Sequence, residues 1–100
     1  MHDVQLNVNM EGRGKFFIEK DTREIAAMVV AISSNTITVF HTEVDDALRG
    51  QGVASQLLFA LVEYAREHNK KIIPLCVYVR GQFDQHEDKY ADVWKKDWHG

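Results

Sequence analysis

The hydrophobic period of this chain changes from strand-like to helical at Val53, and that change limits the fold more than any other feature. Up to Val44 the apolar residues fall in short runs suited to strands: KFFIEK at 15–20, EIAAMVVAIS at 24–33 and TITVFHTEV at 36–44. From Val53 they recur at helical spacing, as Val53, Ala54, Leu57, Leu58, Leu61, Val62 and Ala65, with Glu63, Arg66 and Glu67 off the stripe. KIIPLCVYV, at 71–79, then returns to strand composition. Strand, helix and strand in succession predict two parallel strands joined by a right-handed crossover. The earlier strands, linked by short connections, predict an antiparallel meander.

The remaining segments fit around this frame. Val4, Leu6, Val8 and Met10 alternate with Gln5, Asn7 and Asn9. That is the period of a strand, written in part with asparagine, a poor strand former. Glu11–Gly14, Asp21–Arg23 and Ser33–Asn35 carry turn chemistry. The helix is expected to end near His68-Asn69. Pro74 lies inside the last strand, where it marks an edge, a bulge or an unpaired stretch because it has no N–H to donate. Beyond Gly81, the stretch Phe83–Trp94 is expected to form one or two short helices, with Tyr90, Val93 and Trp94 covering the sheet. The expectation is a single α+β domain over residues 1–100.

Composition removes several function classes. A chain of 100 residues, 45% hydrophobic, supports one core. The net charge of −3, with no cluster of Lys and Arg, argues against nucleic acid as a partner. No apolar run approaches the roughly 18 residues of a membrane span, and MHDVQLNVNM lacks the basic and apolar regions of a signal peptide. A cytoplasmic protein is expected. Cys76 is the one cysteine, which excludes an internal disulfide and any paired-cysteine metal site. His2, His68, His86 and His99 are scattered, and no metal is expected.

The junction between the strand at 36–44 and the helix reads Arg49-Gly50-Gln51-Gly52-Val53-Ala54-Ser55. Glycines there allow positive φ and close approach of a ligand to backbone. The first N–H groups of the helix converge on one point, the helix dipole adds partial positive charge, and Arg49 adds a charge-assisted contact. No Ser, Thr, Asp or Asn stands at 51–53 to cap the helix, so a ligand can satisfy those N–H groups. Together these form an anion cradle suited to a diphosphate. A nucleotide P-loop is excluded because GK[ST] is absent. The dinucleotide fingerprint also fails: Ser55 stands where its third glycine belongs, and no acidic residue occurs at 70–76. Glycines that merely turn the chain remain the plain alternative.

Arg49-Gly50-Gln51-Gly52-Val53-Ala54 resembles the acetyl-CoA loop of the GNAT (general N-acetyltransferase) superfamily, Gln/Arg-x-x-Gly-x-Gly/Ala. The longer run HTEVDDALRGQGVASQLLFALVEYAREHNKKIIPLCVYV, followed by HEDKYADV, is similar to a compact single-domain branch of that family over about residues 14–94. The resemblance implies a GNAT-like fold in which 36–44 and 71–79 splay apart around acetyl-CoA. It implies that the backbone of Thr42, Glu43 and Val44 meets the pantetheine arm. Arg49, Gly50, Gln51, Gly52, Val53 and Ala54 would then hold the pyrophosphate, with Ser55 nearby. The implied activity is acetyl transfer from acetyl-CoA, as co-substrate, to an amine. A backbone N–H would meet the developing oxyanion and a side chain would move the proton.

Cys76 and His41 are the candidate catalytic residues. Strand alternation puts Cys76 on the face of Pro74 and Tyr78, and the resemblance implies that it lies near the thioester. There it can take the acetyl group or protonate the CoA thiolate; a buried cysteine is otherwise a small hydrophobe. His41 is expected on the face of Ile37 and Val39, where it can serve as base to a neighbouring cysteine. Glu43, Tyr78 and Tyr90 are further candidates for moving a proton. The N-terminal helices that wall the acceptor site in larger relatives have no counterpart before Gly14, so that site is expected to be open, small or completed by a partner. Two other readings use the same residues: a non-catalytic CoA-binding module acting with a partner protein, and a structural domain that binds no ligand. The sequence sets neither the acceptor nor the oligomeric state.

Overall fold

The structure is a computed structural model that describes residues 2–96. Its strands are β1 (Gln5–Val8), β2 (Arg13–Lys20), β3 (Arg23–Ile32), β4 (Thr36–Val44) and β5 (Lys71–Pro74). Its α-helices are α1 (Val53–Glu67), α2 (Val77–Gln85) and α3 (Glu87–Tyr90), and one 3-10 turn spans Asp46–Leu48. The sheet runs β1-β2-β3-β4-β5. The first four strands pair antiparallel, and β4–β5 is parallel. Here α1 supplies the crossover that a parallel pair requires. His99, among the histidines noted above, lies outside the described residues.

α1 buries Val53, Leu57, Leu58, Leu61, Val62 and Ala65. This stripe joins Phe16, Ile18, Met28, Val30, Ile37 and Val39 from β2, β3 and β4 in one core. The helix stops where Asn69 takes a left-handed φ of 54°. Asn69 N–H then reaches Arg66 O at 3.4 Å, and Lys70 N–H reaches Ala65 O at 2.9 Å. These bonds satisfy the last carbonyls of the helix and turn the chain into β5. Arg66 also donates to Asp92 and to the Lys89 carbonyl, tying the end of α1 to α3 and the segment after it. That segment adds a parallel bridge beside β5 at Ile72–Trp94, and Phe83, Tyr90 and Trp94 stack beneath it.

Two features depart from simple alternation. In β4 the register with β3 shifts: Val30 faces Val39, Val29 faces His41, and Phe40 is an extra residue. A bulge of this kind reverses the side-chain phase of the strand beyond it. Thr42 therefore pairs with fully buried Met28 on the helix-covered face, whereas His41 pairs with half-buried Val29 on the other. His41 thus does not share the face of Ile37 and Val39.

The second departure concerns KIIPLCVYV, which is not one strand. β5 ends at Pro74, and α2 begins at Val77. Proline gives the ladder no N–H, and Leu75 N–H turns back to Ile73 O at 3.1 Å. Cys76, Val79 and Phe83 then follow at spacings of three and four and are all buried. A helix puts that stripe into the core, which a strand would not. Cys76 is the N-cap of α2 rather than a strand residue, and it does not share a strand face with Pro74 and Tyr78.

Candidate active site

β4 and β5 are in parallel register over four pairs, from Thr36–Lys71 to Val39–Pro74. One further backbone bond follows, from Cys76 N–H to Val39 O at 2.8 Å. Beyond it β5 has become α2, while β4 continues to Val44 with no parallel partner on that edge among the described residues. The result is a gap between the two elements, opened by the end of β5. Around it stand exposed apolar side chains, Phe40 at 41%, Leu75 at 44% and Val77 at 88% exposure.

Cys76 closes the inner end of this gap. It is 3% exposed, a free thiol, and its Sγ lies 3.3 Å from Thr42 Oγ1. Next to it, burial pushes the Tyr78 phenol above its ordinary value, with smaller contributions from Tyr90 and Cys76. Tyr78 therefore stays protonated at neutral pH in surroundings partly closed to water. α2 starts here without a side-chain cap, so its first N–H groups can donate to a ligand's oxygen. His41 is exposed and lies 3.8 Å from Glu43, its neighbour on the same face of β4, the face away from Thr42. The bulge thus separates the two candidate catalytic residues by face, and it is Thr42 that meets Cys76.

The loop before α1 has the backbone the sequence implies. Gly50 and Gly52 take φ of 83° and 76°, and Gly52 is the N-cap of α1, with no side chain capping the helix. A Cβ would find open space at Gly50 and only Ser55 Oγ, at 3.6 Å, at Gly52, so φ is what selects glycine at both positions. Within the helix, the first bond to close is Gln56 N–H to Gly52 O, at 3.2 Å. The N–H groups of Val53, Ala54 and Ser55 stand before it, unused by the helix. Ser55 Oγ donates to Gly52 O at 2.7 Å and braces the turn. Arg49 pairs with Asp46 at 3.1 Å, and both side chains are mostly exposed.

A cavity of about 510 Å³ gathers Thr42, Glu43, Val44 and Arg49, together with Glu24–Ala27 of β3 and Asp45 and Asp46. Gly50 to Ala54 do not line it, and Ser55 lines a different cavity with His2 and Phe59. Among the described residues no cluster of three His, Cys, Asp or Glu side chains is placed to hold a metal ion.

The fold thus combines a glycine turn at the start of α1, a parallel pair that parts after Val39 and a buried thiol at the parting. The profile of the GCN5-related N-acetyl-transferase family matches residues 15–93. The chain belongs to that family. It is a compact GNAT acetyltransferase that takes its acetyl group from acetyl-CoA and gives it to an amine.

Solved structures agree with this GNAT assignment. A GCN5-like protein of Staphylococcus aureus, determined by NMR, is 33% identical with a TM-score of 0.67, and each chain is covered in full. The ribosomal-protein-alanine N-acetyltransferase of Brucella melitensis is 17% identical with a TM-score of 0.63, over 89% of this chain and 67% of that one. An acetyltransferase of Clostridium acetobutylicum solved with acetyl-CoA is 20% identical with a TM-score of 0.61, over 89% of this chain and 63% of that one. The last two share the fold; their identities carry nothing finer.

Proposed function

We propose that this GNAT protein binds acetyl-CoA across the gap and transfers its acetyl group to a primary amine arriving from the opposite face. The pyrophosphate rests on Arg49, Gly50, Gln51, Gly52, Val53, Ala54 and Ser55. The pantetheine arm runs along the free backbone edge of Thr42, Glu43 and Val44. Cys76 is the acid that protonates the CoA sulfur as it leaves. His41, exposed beside Glu43, takes the proton from the attacking amine.

The observation that carries this reading is the placement of Cys76, buried where β4 and β5 part. In the step itself the amine nitrogen attacks the thioester carbonyl and the C–S bond breaks. The electron pair goes to the CoA sulfur, which takes the thiol proton of Cys76. Burial favours acid over nucleophile, because an acetylated Cys76 would need room that a 3% exposed side chain lacks. A free thiol in the site fits the reducing interior of the cytoplasm.

The test is a panel of primary amines offered with acetyl-CoA, with CoA release as the signal and intact mass recorded in parallel. Cys76→Ala is expected to lower turnover about 100-fold, within the range for general acid catalysis, and the wild type to carry no acetyl adduct. An acetyl group on Cys76 would replace the acid with a covalent intermediate. Acetyl-CoA binding without turnover of any amine would favour a CoA-binding module working with a partner protein.

A further inference from the structure

We infer that Thr42 is a positioning residue for Cys76, acting through its side-chain hydroxyl and not only through the backbone edge it offers to acetyl-CoA. This inference rests on the acid role proposed for Cys76.

The bulge in β4 decides which side chain meets Cys76. Without the extra residue Phe40, alternation from Ile37 and Val39 would turn Thr42 to the exposed face and His41 toward the core. The register shift reverses this, and Thr42 lands opposite buried Met28 on the same side as Cys76. Two bonds then join β4 to the start of α2. Cys76 N–H donates to Val39 O at 2.8 Å, and Thr42 Oγ1 meets Cys76 Sγ at 3.3 Å. The first fixes the backbone of Cys76, and the second fixes the direction of its sulfur.

Chemistry sets the polarity of the second bond. A thiol has one proton, and the acid role gives that proton to the CoA sulfur. The hydroxyl must then be the donor to Cys76 Sγ, so that S–H remains aimed at the leaving group. Once the proton has gone, the same O–H donates to the thiolate, a charge-assisted bond stronger than the one before it. Thr42 therefore stabilises the transition state more than the ground state, which is the condition for an effect on rate.

The test is a pair of double-mutant cycles on the full chain, one read by acetyl transfer and one by urea unfolding. Thr42→Val keeps the shape and removes the hydroxyl; Thr42→Ser keeps the hydroxyl. Thr42→Val is expected to lower kcat about 10-fold, an effect of the size of one charge-assisted bond, with the KM for acetyl-CoA unchanged and Thr42→Ser restoring most of the rate. In a Cys76→Ala background the same change is expected to cost nothing, in rate or in stability. Equal effects of Thr42→Val with and without Cys76, in either cycle, would overturn the inference and leave Thr42 a packing residue. Absence of turnover in the wild type would instead remove the acetyl-transfer reading and this role with it, a result separate from the unfolding cycle.

Discussion

Cys76 N–H donates to the Val39 carbonyl at 2.8 Å, two residues past Pro74, the last residue of β5 paired with β4. Among the described residues this is the last backbone bond between β4 and the segment that becomes α2. Every feature of the site follows from where it lies. Before it the two strands are closed; after it β4 offers a bare edge, and the bulge at Phe40 reverses which side chains face the gap.

The bulge separates His41 and Cys76, the proposed base and acid, by face. His41→Ala is expected to lower kcat by at least 10-fold, the low end for loss of a general base, while leaving the KM for acetyl-CoA within about twofold. Steady-state kinetics with a fixed amine checks this. A rise in that KM with kcat unchanged would move His41 to the donor side.

Among the described residues Arg49 pairs with exposed Asp46, a contact worth little in water. A pyrophosphate competes with that carboxylate for the guanidinium. Arg49→Ala is expected to weaken CoA by roughly 10-fold, the scale of one charge-assisted contact, and to make the affinity less dependent on salt. Titrations at two salt concentrations measure both.

The Arg66 guanidinium, hydrogen-bonded to Asp92, holds that carboxyl below its ordinary value, with desolvation opposing and charge adding. A depressed carboxyl gives stability that is present above the unfolded carboxylate range and lost as pH falls through its folded value. Asp92→Asn is therefore expected to destabilise the fold at pH 7, by less than about 1 kcal/mol because the pair is largely exposed. The difference from wild type should shrink in acid. Urea midpoints at neutral pH and near pH 3 are the measurement.

The β2–β3 hairpin turns on Asp21 and Thr22, with φ of 53° and 64°. Positive φ at both central positions suits Asn-Gly far better than a β-branched residue. Replacing Asp21-Thr22 with Asn-Gly is expected to raise stability by about 1 kcal/mol, read from the thermal midpoint, with acetyl-CoA affinity unchanged.

Much of this was legible in the residues. β4 begins and ends where TITVFHTEV does, α1 starts at Val53, and the glycine loop has the left-handed turns its composition requires. Local chemistry decides those features. The fate of 75–79 was hidden because Val77, Tyr78 and Val79 favour strands by type, while tertiary burial of Cys76, Val79 and Phe83 favours a helix. Their three-and-four spacing was the available signal. The bulge also left a trace: Ile37 and Val39 share one phase and Val44 the other, with Phe40 at the break. That phase change, followed through, leads to Thr42 as the partner of Cys76. Reading β4 as unbroken led to His41 instead.

The central claim is that the turn from Arg49 to Ser55 holds the diphosphate of CoA. Calorimetric titration of CoA into the wild type and into Gly52→Glu tests it most directly, with circular dichroism to verify that both are folded. The account predicts one site per chain in the wild type and no measurable binding in the variant, whose carboxylate would stand where phosphate belongs. No binding by the wild type, or equal affinity in a folded Gly52→Glu, would contradict it.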